Sequence, residues 1–448
     1  MTPAATKPFI AIACGGTGGH LFPGLAVAEQ LVKRGCAVTL LISPKEVDQQ
    51  AVKNAQGVEV VTLPAVALQR GSRVAFLRGC GQSWRVARRL FKARPPNAAL
   101  AMGGFTSAPP ILAARSLGAK TFLHESNSIP GRANRWLARF VDQAFVGFPS
   151  AISRLHVREA TVTGTPVRAE FRWGEEARDE PAREDARPAK VASCCSALGL
   201  DPEKPVLLVM GGSQGASGIN EMILSALPIL AKRAPHWQWL HLTGPQDADK
   251  VKQAYSSHGV NAVVHSFLTE MDLALGAATA AISRAGASAL AEMAAMRLPS
   301  LLVPFPHAAD NHQFYNARAF ADSGAAWLLE QKDATPEKVA SLLLEQKDAT
   351  PEKVAALLGE LVDDAAARGK IQAALAKWHA PNAAAEIAES ILRSVGQTVF
   401  KSSKHQAPTS REIPTSNNQK TVQARVFGAW FLALLWMLEV GAWSFFRP

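Results

Sequence analysis

Cysteine is scarce and unpatterned. Cys14, Cys36, Cys80, Cys194 and Cys195 are the five in 448 residues, with no C-x-x-C spacing and no histidine at a metal-ligand interval. That leaves no zinc framework, and an odd, unframed count points to free thiols in a reducing compartment. Acidic residues are in deficit. Asp and Glu number 37 against 48 Lys and Arg, for a net charge of +11. The excess suits an anionic partner, whether nucleic acid, an acidic membrane surface or a phosphorylated substrate, without choosing among them. The opening MTPAATKPFIAIACGGTGG does not read as a secretory signal, because its apolar run is about one strand long and stops at glycine. The catalytic part is therefore expected in the cytoplasm. Hydrophobic residues at 48% and charged residues at 19% are ordinary for a globular chain with a large core. The length suits two or three domains.

What is present is alternation. Aliphatic runs at Phe9–Cys14, Ala37–Ser43, Val58–Leu63, Ala98–Met102, Thr121–His124 and Ala144–Gly147 read as strands. Helical patterns at Pro23–Arg34, Val74–Lys92, Ser107–Leu117 and Ile129–Phe140 fall between them. The series restarts at Pro205, with strands at Val206–Met210, Trp237–Thr243, Ala262–His265, Ala280–Ser283 and Ser300–Pro304. Its helices are Ser217–Lys232, Asp247–Ser257, Ala287–Met296 and Asn311–Asp322. This spacing predicts parallel sheets with crossover helices, and two such series predict two doubly wound, Rossmann-like α/β domains. The predicted boundaries are 1–168 and 205–395. Between them 169–204 reads as a charged linker or insertion, centred on Phe171–Ala192, FRWGEEARDEPAREDARPAKVA.

Three features interrupt the alternation. LLEQKDATPEKVA occurs at Leu328–Ala340 and again, unchanged, at Leu343–Ala355. Each copy carries a helix start, Thr335 or Thr350 followed by proline, and the second is expected to add one short surface helix. Residues 396–425 have the polar composition of a linker. Val426–Phe446 is then an apolar run of 21 residues with Glu439 its one charge. It matches the roughly 20 residues of a bilayer span. Basic residues Lys401, Lys404, Arg411, Lys420 and Arg425 place its N-terminal side in the cytoplasm. A packing helix is the plain alternative.

The chemistry is expected in glycine turns. AIACGGTGGHLFPG (Ala11–Gly24) is strand, glycine turn and helix, and LLVMGGSQGASGIN (Leu207–Asn220) repeats the arrangement. Such turns bring backbone amides and a helix N-terminus to a negatively charged ligand. One turn alone is a weak signal; a pair at the carboxyl ends of two sheets predicts a shared cleft between two substrates. ISRAGASALAEM (Ile282–Met293) is a third strand–turn–helix, in which Glu292 suits a ribose. VPFPHAADNHQFYNA (Val303–Ala317) gathers His307, Asn311, His312, Gln313 and Asn316 for polar recognition rather than metal.

Taken in order, GGTGGH (Gly15–His20), GGFTSAPP (Gly103–Pro110), HESNSIPGRANRWLA (His124–Ala138), GTPVR (Gly164–Arg168), GGSQGA and SRAGAS resemble one family. It is the MurG family of peptidoglycan glycosyltransferases, glycosyltransferase family 28, and the likeness runs from Pro8 to Leu392. The resemblance implies a GT-B fold, two parallel-sheet domains facing a central cleft. It implies an inverting transfer of GlcNAc from UDP-GlcNAc to the C4 hydroxyl of lipid I, giving lipid II at the cytoplasmic face of the inner membrane. No cofactor, metal or nucleic acid is implied. UDP-GlcNAc, lipid I and an anionic membrane surface are the expected partners, with other cell-wall and division proteins beyond them. The family pattern further implies that Thr17, Gly18, Gly19, Asn127, Arg168, Ser213, Gln214, Leu268 and Gln313 meet the donor. Ala287, Ser288, Ala289, Leu290, Ala291 and Glu292 hold its nucleotide. Gly16, Gly103, Gly104, Thr106 and His124 belong to the acceptor side. The catalytic expectations are His20 and Glu292. The length near Glu175–Lys190, the repeat and the apolar tail depart from the family.

The physics agrees with these assignments. A departing nucleoside diphosphate gathers negative charge, which helix N-termini and Arg168 can meet. The acceptor hydroxyl needs a proton acceptor, and histidine titrates near pH 6.5. His20 is the first choice and His124 its rival; alternatively His20 only positions the acceptor. The stretch around Arg70–Arg94 interleaves Arg70, Arg73, Arg78, Arg85, Arg88, Arg89, Lys92 and Arg94 with Phe76, Leu77, Trp84, Leu90 and Phe91, which suits an anionic bilayer. Three other readings compete: a GT-B enzyme glycosylating diacylglycerol, a dinucleotide-dependent oxidoreductase using Glu46 or Asp48 for its ribose, and a membrane scaffold.

Overall fold

The computed structural model describes residues 7–53, 55–65, 73–171, 186–212, 215, 217–331 and 365–396. The first series comprises β1 (Phe9–Ala13), α1 (Gly18–Lys33), β2 (Ala37–Ile42), α2 (Glu46–Ala51), β3 (Val58–Thr62) and α3 (Arg73–Ala93). It continues with β4 (Ala98–Ala101), α4 (Ala108–Arg115), β5 (Lys120–Glu125), α5 (Arg132–Leu137), β6 (Gln143–Val146) and β7 (Ala160–Val162). These strands form a seven-stranded sheet in the order β3-β2-β1-β4-β5-β6-β7, every pair parallel. The second series opens with α6 (Ala186–Ala197), β8 (Val206–Met210), α7 (Ser217–Arg233), β9 (Gln238–Leu242), α8 (Ala248–Ser257) and β10 (Ala262–His265). It closes with α9 (Met271–Ala277), β11 (Ala280–Ser283), α10 (Ala287–Met296), β12 (Ser300–Leu302), α11 (His312–Asp322) and β13 (Trp327–Leu328). Its parallel sheet runs β10-β9-β8-β11-β12-β13. Two helices end the described chain, α12 (Ala365–Trp378) and α13 (Ala383–Ser394).

The central strands are apolar on both faces because helices cover both faces. On β1, Phe9, Ala11 and Ala13 enter one core, while Ile10 and Ile12 enter the other, joined by Cys14 just beyond the strand. On β8, Val206, Leu208 and Met210 divide from Leu207 and Val209 in the same way. Strand order reverses between β1 and β4 and again between β8 and β11. Loops leaving the carboxyl ends of adjacent strands at such a point part to opposite sides and open a crevice.

Three expectations are corrected. α1 starts at Gly18, five residues before Pro23, which lies inside the helix. The end of the 169–204 linker is helical: α6 buries Cys194 and Cys195 in the second core. The domain assigned to 205–395 gives up its last helix, because α13 places Ile387, Ala388, Ile391 and Leu392 against Ile10, Ile12 and Leu25 of the first core. Arg34 on α1 pairs with Glu389 at 3.0 Å along the same contact. In exchange, Phe148 and Phe171 join the second core, and Phe148 meets Phe320 and Trp378 at 6.3 and 5.2 Å between ring centroids. The repeat from Lys332 onward, the polar stretch and Val426–Phe446 lie outside the described residues. Among those described, no helix is long and apolar enough to cross a membrane.

Candidate active site

At the first switch point, β1 leads into Gly15-Gly16-Thr17 and α1, and β4 leads into Gly103-Gly104 and α4. The two turns are fastened together. Thr106 Oγ1 donates to the Gly15 carbonyl at 2.9 Å and Ser107 Oγ to that of Ala13 at 3.2 Å. Gly103 and Gly104 have φ of +103° and +79°, a left-handed pair that side chains rarely adopt. A Cβ on either would also strike the His20 ring, at 2.9 and 3.0 Å. The imidazole therefore packs directly against this turn.

The first glycine turn has its own clamp. Buried Asp48 accepts the Gly16 N–H at 2.7 Å and the Ser43 hydroxyl through the same oxygen, while Lys45 Nζ donates to the Gly16 carbonyl at 2.7 Å. A carboxylate thus occupies an amide that a dinucleotide site would offer to pyrophosphate. Asp48 faces inward to the turn rather than outward to a ribose, which removes Asp48 as the acid of the oxidoreductase reading.

His20 is half-buried; the Met102 carbonyl lies near the ring, but the sealed Nδ1 makes no well-formed hydrogen bond. Burial holds its proton affinity below the ordinary value, against the opposing pull of the Glu125 carboxylate, the Met102 carbonyl and Asp48. The ring is neutral at pH 7, as a base must be. His124 is fully buried instead. Its Nε2 meets the Gly164 carbonyl at 3.1 Å, its Nδ1 meets Ser126 Oγ at 3.3 Å, and burial pulls its pKa down to about 4. Both nitrogens are engaged, so the expectation of His124 as rival base or acceptor contact is corrected. Its role is to tie β5 to the Gly164 turn. Thr106 is corrected likewise: its side chain is buried and engaged with Gly15, leaving only its backbone for an acceptor.

The second switch point brings β11, the turn Ser283–Gly286 and α10 beside the glycine turn that follows β8. Ser288 Oγ, in the first turn of α10, donates to the Gly19 carbonyl of the other domain at 3.1 Å. Pro23 explains why that carbonyl is free, since a proline four residues on has no N–H to claim it. Glu292, one helical turn further, is half-buried. Burial pushes its carboxyl up to about 7, with Arg168 lowering and Glu170 raising it. The Arg168 guanidinium lies between Phe22 and Phe171, 4.3 and 5.0 Å from their ring centroids, and pairs with Glu170 at 2.9 Å.

Comparison with known proteins settles the lineage. Residues 10–146 match the glycosyltransferase family 28 N-terminal domain, and residues 206–356 match the family's C-terminal domain. A Bordetella pertussis protein is 37% identical over 342 residues, 75% of this chain and 88% of that protein. An Anaeromyxobacter dehalogenans protein is 34% identical over 395 residues, 84% and 91% of the two chains. Both are named UDP-N-acetylglucosamine--N-acetylmuramyl-(pentapeptide) pyrophosphoryl-undecaprenol N-acetylglucosamine transferase. The chain belongs to glycosyltransferase family 28. Among solved structures, Acinetobacter baumannii MurG superposes with a TM-score of 0.59 at 25% identity, covering 86% of this chain and 99% of that one. A kitacinnamycin glycosyltransferase, at 18% identity and a TM-score of 0.54, covers 82% and 98% and shares the fold.

Within this family 28 chain the remaining candidates fall on both walls of the cleft. Thr17 is exposed at the start of α1, with Gly18 and Gly19 behind it. Asn127 is held between its neighbours: it donates to Glu125 Oε1 at 3.0 Å, and its Oδ1 accepts from Asn316 Nδ2 at 3.0 Å. Asn316 also accepts the Ser128 N–H at 2.9 Å, so these residues are struts between the domains. Arg132 and Arg135 both pair with Asp310 across the same boundary, at 3.3 and 2.5 Å. Gln313 accepts the Phe305 N–H at 3.0 Å, and its amide nitrogen has no hydrogen-bond partner among the described residues. Ala287 and Leu290 are core side chains, which limits them to backbone contacts; Ala289, Ala291 and Leu268 are half-buried. Ser213 and Gln214 lie outside the described residues. Among the described residues, no group of three or more His, Cys, Asp or Glu is set to hold a metal. Sequence reasoning missed Glu125. It is 2% exposed and accepts four N–H bonds, from Asn127 N, Asn127 Nδ2, Gly131 N and Asn134 Nδ2, all within 3.0 Å. Its only signal was an acid followed within nine residues by two asparagines and a glycine.

Proposed function

We infer that this chain moves GlcNAc from UDP-GlcNAc to the C4 hydroxyl of lipid I, with inversion, to give lipid II for peptidoglycan. The observation that supports it best is the bond from Ser288 to Gly19, which sets the helix expected to hold the nucleotide one residue from His20. In the proposed step, His20 Nε2 takes the proton of the acceptor hydroxyl as its oxygen bonds to the anomeric carbon. The anomeric bond to the diphosphate breaks, and its electron pair leaves with UDP. The N-terminus of α10 and Arg168 face the charge that develops there. Glu292, close to half-protonated at neutral pH, is placed to bond ribose hydroxyls. The Gly103–Gly104 turn takes the acceptor diphosphate through its backbone.

The acceptor is lipid-linked, so the enzyme works at a membrane surface, which we place at the cytoplasmic face of the inner membrane. The docking surface we propose is α3. Arg78, Arg85, Arg89 and Lys92 are exposed on it, and Val74 is 79% exposed. Phe91 was expected to join this surface, but it is a core residue at 0% exposure. The purified chain, given radiolabelled UDP-GlcNAc with lipid I or with diacylglycerol, should label lipid I alone. Labelled diacylglycerol beside unlabelled lipid I would overturn the reading.

A further inference from the structure

We propose that Asn134 sets the tautomer of His20, and that Glu125 acts through Asn134 as the counter-charge of the protonated ring. The inference rests on the reading of His20 as the base. Asn134, on α5, is 3% exposed. Its Nδ2 donates to the His124 carbonyl at 3.2 Å and to Glu125 Oε2 at 2.9 Å. Two acceptors on one side fix the orientation of the amide, so Oδ1 is the end left over. That oxygen is buried without a partner, and so is His20 Nδ1. The two groups border the same small space. A Cβ on Gly103 would lie 2.9 Å from His20 Nδ1 and 3.3 Å from Asn134 Nδ2.

One proton resolves both deficits. Asn134 Oδ1 can only accept, whereas Nδ1 of a neutral imidazole donates or accepts according to tautomer. With hydrogen on Nδ1, a shift of the ring or of the amide pairs the two atoms, and the lone pair is left on Nε2 for the substrate hydroxyl. Hydrogen on Nε2 would leave both buried acceptors unpaired and no base on the substrate side. Leaving such groups unmade is costly. Glu125 completes the arrangement. It accepts four N–H bonds, and its charge opposes the effect of burial on the ring. The chain Glu125–Asn134–His20 thus orients the base and stabilises the imidazolium formed as the hydroxyl proton arrives. Neither Glu125 nor Asn134 touches substrate, so both are positioning residues.

The test is a long-range proton–nitrogen spectrum of the full chain labelled with 15N-histidine, with the His20 signals identified by their loss in His20→Ala. The wild-type protein should show hydrogen on Nδ1 at neutral pH. Asn134→Ala should move it to Nε2, lower kcat by about tenfold or more, and leave the KM for UDP-GlcNAc within about twofold. The acid limb of its kcat/KM profile should move to lower pH, and Glu125→Gln should move it the same way. A wild-type Nε2–H tautomer would overturn the proposal, and that spectrum needs no variant to fold. So would an Asn134→Ala protein with unchanged tautomer and pH profile, which would assign the Nδ1 proton to the Met102 carbonyl. Failure of the base reading looks different: His20→Ala would keep its turnover whatever the tautomer.

Discussion

Pro23 shows how one residue can serve both domains. As a helix interruption it frees the Gly19 carbonyl, and that carbonyl receives Ser288 from the donor side. Proline inside a helix costs about 3 kcal/mol. Pro23→Ala should therefore raise the melting temperature and lower kcat/KM, because the new N–H competes with Ser288 for Gly19. A variant gaining stability at full turnover would show that the contact is idle. His20→Ala should lower kcat by about 10²- to 10⁴-fold with UDP affinity unchanged; turnover near wild type would make His20 a positioner only. Residue identities were readable from the sequence where glycine or histidine stood in a motif. Thr106, His124 and Asn127 sit where the motifs put them, yet their side chains are taken by carbonyls and neighbours, and burial of that kind is invisible in a string of letters. Asp48 and Glu125 were hidden for the same reason, each an ordinary acid until the fold encloses it.

At the scale of elements, the central strands were legible because a sheet covered on both faces leaves unbroken apolar runs; Val206–Met210, Ala262–His265 and Ala280–Ser283 have the expected ends. The helices α6 and α13 were not placed. Their apolar faces were visible in principle, but amphipathicity does not name the surface that a helix covers. α13 lies on the first sheet although the second precedes it in the chain. Ile391→Ala should cost about 2–5 kcal/mol, seen in urea denaturation as loss of the first domain's stability while β8 to β13 keep theirs. On α3, reversing Arg78, Arg85, Arg89 and Lys92 to glutamate should weaken binding to vesicles rich in anionic lipid and spare turnover of a soluble acceptor analogue. Unchanged vesicle binding would remove α3 from the membrane surface.

For the molecule as a whole, buried ionisable groups set a pH window. His124 and His241 are held neutral, at about 4 and about 3 against the ordinary 6.5. The unfolded chain takes up protons at these sites below pH 6.5 and the folded one refuses them, so stability falls as pH drops from there. The effect is about 3 kcal/mol by pH 4 for His124 alone. Glu292 acts in the opposite direction. The folded protein keeps its proton up to about pH 7, whereas the unfolded chain gives it up near 4.5, so stability falls as pH rises between them. Glu292→Gln should steepen the loss of melting temperature on acidification from pH 6.5 to 5, where the two histidines then act unopposed; a slope unchanged from wild type in that range would show that Glu292 does not titrate there. The two-domain plan was open to sequence reasoning because strand–helix alternation occurs twice. The exchange of pieces between the domains was not, since only the folded chain brings residues 387 and 10 together.

That exchange has a consequence for how the enzyme can be divided. A fragment ending at residue 168 would carry the Phe148 ring with nowhere to go and a bare apolar strip where α13 belongs. Grafting either half onto a stranger, as one shuffles modular transferases, should give insoluble protein unless the tail travels with the front half and Phe171 with the back. The acceptor and donor halves are inherited as a pair.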